Sequence, residues 1–560
     1  ILYWLNVSGR FRIDNTHSEY EGKLYASSSN TLTDGSSQGH YTVNNGQYSQ
    51  TYADVLVNIN KRIQDFTIVA NIGASYSGVT SKELGYAGPI RETGIPNLFN
   101  VYDLDNAKKR ATQVGWREAT ESIFASAEVG WKSMLYLTVT GRNDWASQLT
   151  HSPQASFFYP SVGLSAVITE ILKLPDWVDY LKVRGSFSSV GNPYPRFLTY
   201  PTYSYDANKQ DWKSQTNYPI GKLYPERTDS WEVGLDATLF KDFKLSGSFY
   251  YANTYNQTFD PRLPVSSGYD KLYVQTGYVR NYGFEAMLSY GHRWGDFGWD
   301  SSFTFSANKN EIVELVKDYV HPETGKTYNV DKLELKTDEG RGFGKAKFIL
   351  KEGGTLGDLY THADLKRDIN GNVLIDDSGN VTAIDNAGDI KLGSVLPKAN
   401  LAWNNSFSYK GINAGFLLTA RLGGIVYSAT QAYLDLYGVS ETSAAARDAG
   451  GVWINGRSRV NPQSFYEVVA SQSGLPTYYT YSATNLRLQE AHIGYTVPRR
   501  WLGNVCDINV SLVGRNLWMI YCKAPFDPEA VATTNNYYQG IDYFMMPSTR
   551  NIGFNIKINF

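Results

Sequence analysis

The chain closes on RNIGFNIKINF, Arg550 to Phe560. Ile552, Phe554, Ile556, Ile558 and Phe560 fall on one side of an extended backbone, and Asn551, Gly553, Asn555, Lys557 and Asn559 fall on the other. Successive side chains of a strand point to opposite faces, so this is a strand with one apolar and one polar face. The same rhythm recurs upstream. Tyr3, Leu5, Val7 and Phe11 alternate with Trp4, Asn6, Ser8 and Arg10, and Leu181, Val183 and Phe187 oppose Lys182, Arg184 and Ser186. Trp231, Val233, Leu235, Ala237 and Leu239 alternate with Glu232, Gly234, Asp236 and Thr238. Strands of this kind build either a sandwich with one wet face or a barrel with one lipid face.

The connections separate the two. Very short links (WKSML, LFKDF, SYKGI) alternate with long excursions near 13–54, 78–119, 190–228, 256–279, 309–398, 422–484 and 519–548. Tight turns on one side and long loops on the other are the habit of outer-membrane barrels. Counting by parity predicts about 16 strands of about 9–13 residues, a length that crosses a bilayer when tilted. The expected fold is all-β, an antiparallel transmembrane β-barrel. It has long extracellular loops and a C-terminus on the periplasmic side. Ile1 falls in mid-strand rhythm, so the expectation is a C-terminal portion that lacks an N-terminal part.

Composition agrees. Lys and Arg number 52 against 54 Asp and Glu, for a net charge of −2, and this balance lacks the basic footprint of a nucleic-acid binder. Mean hydropathy is −0.36, and no apolar run is long enough for a membrane helix. Aromatics reach 14%, including 42 Tyr, which opposes disorder. Cys506 and Cys522 stand at the two ends of one predicted strand, roughly 50 Å apart at about 3.3 Å per residue, and cannot pair.

Motifs for catalysis are missing: there is no H-E-x-x-H, G-x-S-x-G or Walker-type loop. Gly340, Gly342 and Gly344 in EGRGFGK have no strand before them and no helix after, which reads as a loop. DINGNVLIDDSGN gathers Asp368, Asn370, Asn372, Asp376 and Asp377. Two readings stand there. One is a loop holding a divalent cation such as calcium, with Asp368, Asn370, Asn372 and Asp376 as ligands. The other is a β-turn at Asn370-Gly371, because an EF-hand needs its glycine two places later. No other cofactor is expected. The excursions also carry aromatics: Tyr203, Tyr205 and Trp212 in one, Tyr433 and Tyr437 in another. They suit contact with cargo, or packing among themselves or at a lipid interface. The terminal Phe554, Ile556, Ile558 and Phe560 are expected to serve as an assembly signal.

Several pieces, in order, carry a family likeness: GRNDWA from Gly141, YPSVGLSAVITE from Tyr159, LKVRGSFSSVGNP from Leu181 and LYPERTDSWEVGLDATLF from Leu223. GYVRNYGFEAML from Gly277, FSANKNEIVEL from Phe305, LRLQEAHIGYTVP from Leu486, GRNLW from Gly514 and DPEA from Asp527 follow. With them the chain resembles the C-terminal part of the SusC/RagA family of TonB-dependent outer-membrane transporters. The resemblance implies a barrel of 22 strands filled by a plug, with about six strands preceding Ile1. It also implies TonB-ExbB-ExbD coupling through that missing part, a SusD-like surface lipoprotein as lid, and oligosaccharide or oligopeptide cargo. The chain is then no enzyme and no nucleic-acid binder. A passive general porin in the outer membrane is the alternative, since about 16 strands is also a porin count.

Overall fold

The computed structural model describes residues 3–198, 204–206, 211–213, 217–218, 223–259, 271–320, 325, 327–335, 344–532 and 539–559. Sixteen long strands form one sheet in chain order. They are β1 Leu5–Leu24, β2 His40–Ile63, β3 Phe66–Pro89, β4 Arg110–Trp131, β5 Leu135–Ala146, β6 Ser156–Val167, β7 Val178–Asn192 and β8 Glu226–Leu239. Then come β9 Phe243–Phe259, β10 Val274–Trp294, β11 Phe297–Glu314, β12 Ala399–Tyr409, β13 Ile412–Leu422, β14 Asn485–Val497, β15 Asp507–Cys522 and β16 Asn551–Asn559. The short links are as read: Lys410 and Gly411 both take positive φ (47° and 91°), the mirror-image turn that joins twisted strands in two residues. Both cysteines are free thiols.

The strand lengths correct the expectation of 9–13 residues. β1 has 20 residues and β2 and β3 have 24 each. The excursions placed at 13–54 and 78–119 are therefore mostly strand, and only 25–39 and 90–109 leave the ladder. Backbone pairing continues from Ile13 to Leu24 against His40 to Thr51, although side chains such as His17, Ser18 and Glu19 are polar on both faces. Beyond the apolar band both faces are wetted, so the alternation disappears while the hydrogen bonds persist.

Packing divides the chain into two units. The first comprises Ile1–Leu164, Phe187–Asp229 and Thr258–Gln275, and the second Ser165–Ser186, Ser230–Gln257 and Thr276–Phe560. Among the described residues the first is mostly strand. The second adds to its strands a folded module drawn from its long excursions. In that module a four-stranded sheet runs Lys332–Leu335, Ala346–Lys351, Asp358–Thr361, Ile390–Ser394. A three-stranded one is ordered Thr480–Ser482, Ile425–Ser428, Ile541–Asp542. Short helices Ala429–Leu436, Glu441–Asp448 and Pro462–Val469 pack with them. Phe348, Leu359, Val395, Tyr427, Phe465 and Tyr479 lie in one buried core.

Candidate functional site

In the second unit the register of β10 to β15 sorts side chains into two faces. Leu288, Phe303, Trp403, Leu418, Leu488 and Trp518 stand opposite one another across six strands. Most of this row is exposed, Trp518 to 59%. The next row on the other face begins Met287, Thr304, Ala402, Thr419, Arg487. The row after that reads Glu285, Ser306, Asn400, Arg421, Asn485. An apolar band on the outside and polar rows inside is the arrangement of a barrel wall.

Near the short turns the apolar face becomes aromatic. Phe243 meets Tyr290 at 4.7 Å between ring centres, Tyr290 meets Trp299 at 5.3 Å, and Trp299 stacks on Phe407 at 6.4 Å. The indole N–H of Trp299 donates to Asn405 (3.1 Å) and that of Trp403 to Ser301 (3.0 Å). Both indole N–H groups are therefore satisfied by a neighbouring strand. Amphipathic rings with satisfied N–H groups suit the boundary between lipid and water.

The polar face carries paired charges. Arg184 bonds Asp236 at 2.8 Å, Ser246 donates to the same carboxylate at 2.7 Å, and Glu232 lies 3.4 Å from Arg184. A cavity of about 650 Å³ opens on this face between Arg184, Ser246, Glu285, Asn400, Arg421 and Glu529. Its lining offers donors and acceptors of both signs and suits a polar or zwitterionic chain.

The family-like pieces meet in space. In the first unit Arg142 of GRNDWA bonds Asp144 at 2.7 Å, and Tyr159 of YPSVG donates to the same Asp144 at 2.5 Å. Arg227 of the LYPERTD piece donates to Ser189 of the LKVRGSFSSV piece at 2.9 Å. In the second unit Asn310 donates to Asn281 at 2.9 Å and accepts from the Leu356 amide at 2.8 Å, fastening the folded module to β11.

Three more pieces converge on Arg487, which is only 5% exposed. Its guanidinium donates to Asn516 of GRNLW at 2.8 Å and to Asp527 of DPEA at 2.7 Å, and Glu529 lies 3.4 Å away. Asn516 takes φ 52°, and the ladder between β14 and β15 slips twice around it. This bulged geometry aims its amide at Arg487. Burial pushes the Asp527 carboxyl up, but hydrogen bonds from Arg487, Ser548 and the Glu529 amide outweigh it and hold the carboxyl below the usual carboxylate range.

The sequence-predicted residues are brought together only in part. Tyr203 and Phe560 lie outside the described residues, as do Gly340 and Gly342. Tyr205 and Trp212 meet edge to face at 5.3 Å, both exposed. Tyr433 packs against Phe544 at 5.3 Å and Tyr543 at 6.5 Å, while Tyr437 is 75% exposed. Phe544 was missed by sequence reasoning because no periodicity marks the last excursion. Ile552, Phe554, Ile556 and Ile558 are all exposed on β16.

Asp368 accepts from the amides of Asn370 (2.8 Å) and Asn372 (2.9 Å), and from the Asn372 side chain (3.1 Å). Asp376 accepts from the amides of Ser378 (2.9 Å) and Asn380 (2.8 Å). These are two copies of one turn, DINGNV and DDSGNV, whose Val373 and Val381 are buried in the module core. The repeat was legible in the sequence. Each aspartate serves its own turn, and among the described residues no group of three His, Cys, Asp or Glu is placed to hold a metal.

The module also holds a buried carboxylate. Asp435 accepts from the Tyr479 hydroxyl at 3.0 Å and from Ser440, which caps helix Glu441–Asp448. Burial first, then this carboxylate, push the Tyr479 hydroxyl well above its ordinary range.

Comparison with known proteins agrees with this geometry. A family model described as TonB dependent receptor-like, beta-barrel, matches residues 2–517. TonB-dependent receptor P3 of Formosa agariphila is 24% identical over 87% of this chain and 50% of its own length. TonB-dependent receptor SusC of Bacteroides thetaiotaomicron is 24% identical over 71% of this chain and 40% of its own length. The solved structure of the RagAB peptide transporter superposes on 100% of this chain and 60% of its own, with a TM-score of 0.76 at 17% identity. The chain thus spans about half the length of the curated relatives it matches. No helix among the described residues is long and apolar enough to cross a membrane. With its inside-out strands and its polar inner rows, the chain belongs to the TonB-dependent receptor β-barrel family, a family of outer-membrane receptors and transporters rather than enzymes.

Proposed function

We propose that this chain is the barrel portion of a TonB-dependent importer that carries oligosaccharides or oligopeptides across the outer membrane. A SusD-like surface lipoprotein acts as its lid, and TonB-ExbB-ExbD is its energy source. The observation that carries this reading is the pairing of a polar inner wall with a folded, aromatic-bearing module on the long-loop side. A general pore needs only the first. The module spends a buried core on presenting Tyr437, Tyr543 and Phe544 at the surface, with half-buried Tyr433 beneath them, which suits capture of a chain-like cargo before it enters the lumen. Similarity to the RagAB peptide transporter supports the oligopeptide class, and the oligosaccharide class stands beside it on the resemblance to the SusC/RagA family. In this reading the long loops face outward, the C-terminus is periplasmic, and the apolar side of β16 is read by the insertion machinery.

The test is growth on a peptide mixture or a partly hydrolysed polysaccharide as sole nutrient. The wild type is compared with a strain lacking TonB and with a strain carrying Tyr437→Ala and Phe544→Ala together. Import as proposed stops without TonB and weakens in the double variant with barrel levels unchanged. Uptake that persists without TonB would identify a passive porin.

A further inference from the structure

We propose that Arg487 and Asn516 form a clasp that ties both ends of the last excursion to the sheet, and that this clasp holds the Phe544 aromatic patch in place for cargo. The second half rests on the importer reading; the first does not.

The last excursion leaves β15 after Cys522 and returns at Asn551. Its outgoing limb is held where Arg487 donates to Asp527, backed by the Asn485 amide on Glu529 at 3.3 Å. Its returning limb is held where the Asn516 side chain donates to the Thr549 carbonyl at 3.1 Å. Asn516 also accepts from Arg487, so one buried guanidinium and one bulge amide close both ends at a single point. Above the clasp the limbs are joined by the Ala532 amide on the Ile541 carbonyl at 2.7 Å.

From there the excursion reaches the module. Ile541–Asp542 pairs with Tyr427–Ser428, and Ser428 donates to Asp542 at 2.5 Å while capping helix Ala429–Leu436. The Phe544 amide donates to Thr430 at 2.7 Å, setting the ring against Tyr433. A fork of parallel N–H donors on a planar guanidinium is what allows one residue to serve both Asn516 and Asp527; an ammonium lacks that fork. Glu529 gives the clasp a second task, because it also lines the cavity on the polar face.

The test uses protein purified from outer membranes and hydrogen exchange read by segment. Arg487→Gln should speed exchange on the order of tenfold in 523–532 and 539–550 and at the start of helix Ala429–Leu436, leaving 403–418 unchanged. Asn516→Ala should loosen the returning limb alone. Arg487→Lys should restore the outgoing limb and not the returning one. Should Arg487→Gln fail to reach the membrane, Asp527→Asn, which leaves every strand residue intact, must loosen the outgoing limb. Unchanged exchange in both limbs, or equal loosening of 403–418, would overturn the clasp.

For the cargo half, uptake of a casein digest or of hydrolysed starch is measured. Arg487→Gln should raise the half-saturating concentration severalfold at unchanged maximal rate. A loosened excursion with unchanged half-saturation would overturn that half alone. Wild-type protein that imports neither would count against the importer reading and not against the clasp.

Discussion

The strands of the second unit and the module beside them use the same residue types in opposite ways. In β10 to β13, Leu288, Phe303, Trp403 and Leu418 point out, and the inner rows are polar. In the module, Phe348, Leu359, Tyr427 and Phe465 point in and are buried. The difference is the solvent each was built for. A wall facing hydrocarbon gains nothing by hiding its apolar side chains, and closes its backbone hydrogen bonds strand to strand because lipid offers none. A module in water must bury apolar area and satisfy its helix ends, which Ser428, Ser440 and Asn461 do by capping.

The comparison makes unequal demands on single substitutions. The largest effect belongs to the module core: Phe348→Ala should destabilise the module by about 3–5 kcal/mol. Limited proteolysis should then cut within 346–480 while the heat-modifiable barrel persists. Loss of the barrel as well would show that the two regions do not fold separately.

On the wall the effect depends on the face. Leu288→Arg should lower barrel stability by about 2–4 kcal/mol if its position is near the bilayer midplane, and Thr304→Arg, one row away on the inner face, by far less. Urea unfolding in lipid vesicles, run in both directions to establish equilibrium, makes both measurements, and equal effects would erase the distinction between faces.

Acid should act on the excursion before it acts on the wall. Asp527 is held below the ordinary carboxylate range, so its contribution is fully present above about pH 4 and is lost progressively as the pH falls through its lowered value. Segment-resolved protection, corrected for the intrinsic pH dependence of amide exchange, should be flat from pH 8 to pH 5 and fall in 523–532 only below about pH 4, with Asp527→Asn removing the step. The smallest effect is expected for one surface aromatic: Phe544→Ala should weaken cargo binding by about 0.5–1.5 kcal/mol, a several-fold change in half-saturation.

The sequence made the wall legible because lipid on one side and water on the other enforce a period of two, as β16 displays from Asn551 to Asn559. It hid the upper ends of β1 and β2, where His17, Ser18 and Glu19 meet water on both sides while pairing continues. It hid the module too, whose core is assembled from short pieces between Ala346 and Ile541 with no common period. The clasp was half visible. LRLQEA, GRNLW and DPEA stand out as strings, but their meeting depends on the bulges beside Asn516, which no local pattern announces. Of the aromatic residues, Tyr205, Trp212, Tyr433 and Tyr437 could be named from the sequence, whereas Phe544 finds its partner only through the fold.

The orientation of the wall is the claim on which the rest stands, and lipid-depth quenching tests it most directly. Single cysteines at position 288 or 304, in a background with Cys506 and Cys522 replaced by serine, would carry a fluorophore in bilayers whose acyl chains bear a quencher. The label at 288 should be strongly quenched by the lipid and the label at 304 should respond only to a water-soluble quencher. The opposite pattern, or lipid quenching at both positions, would contradict a barrel with its apolar face in the membrane and its polar rows inside.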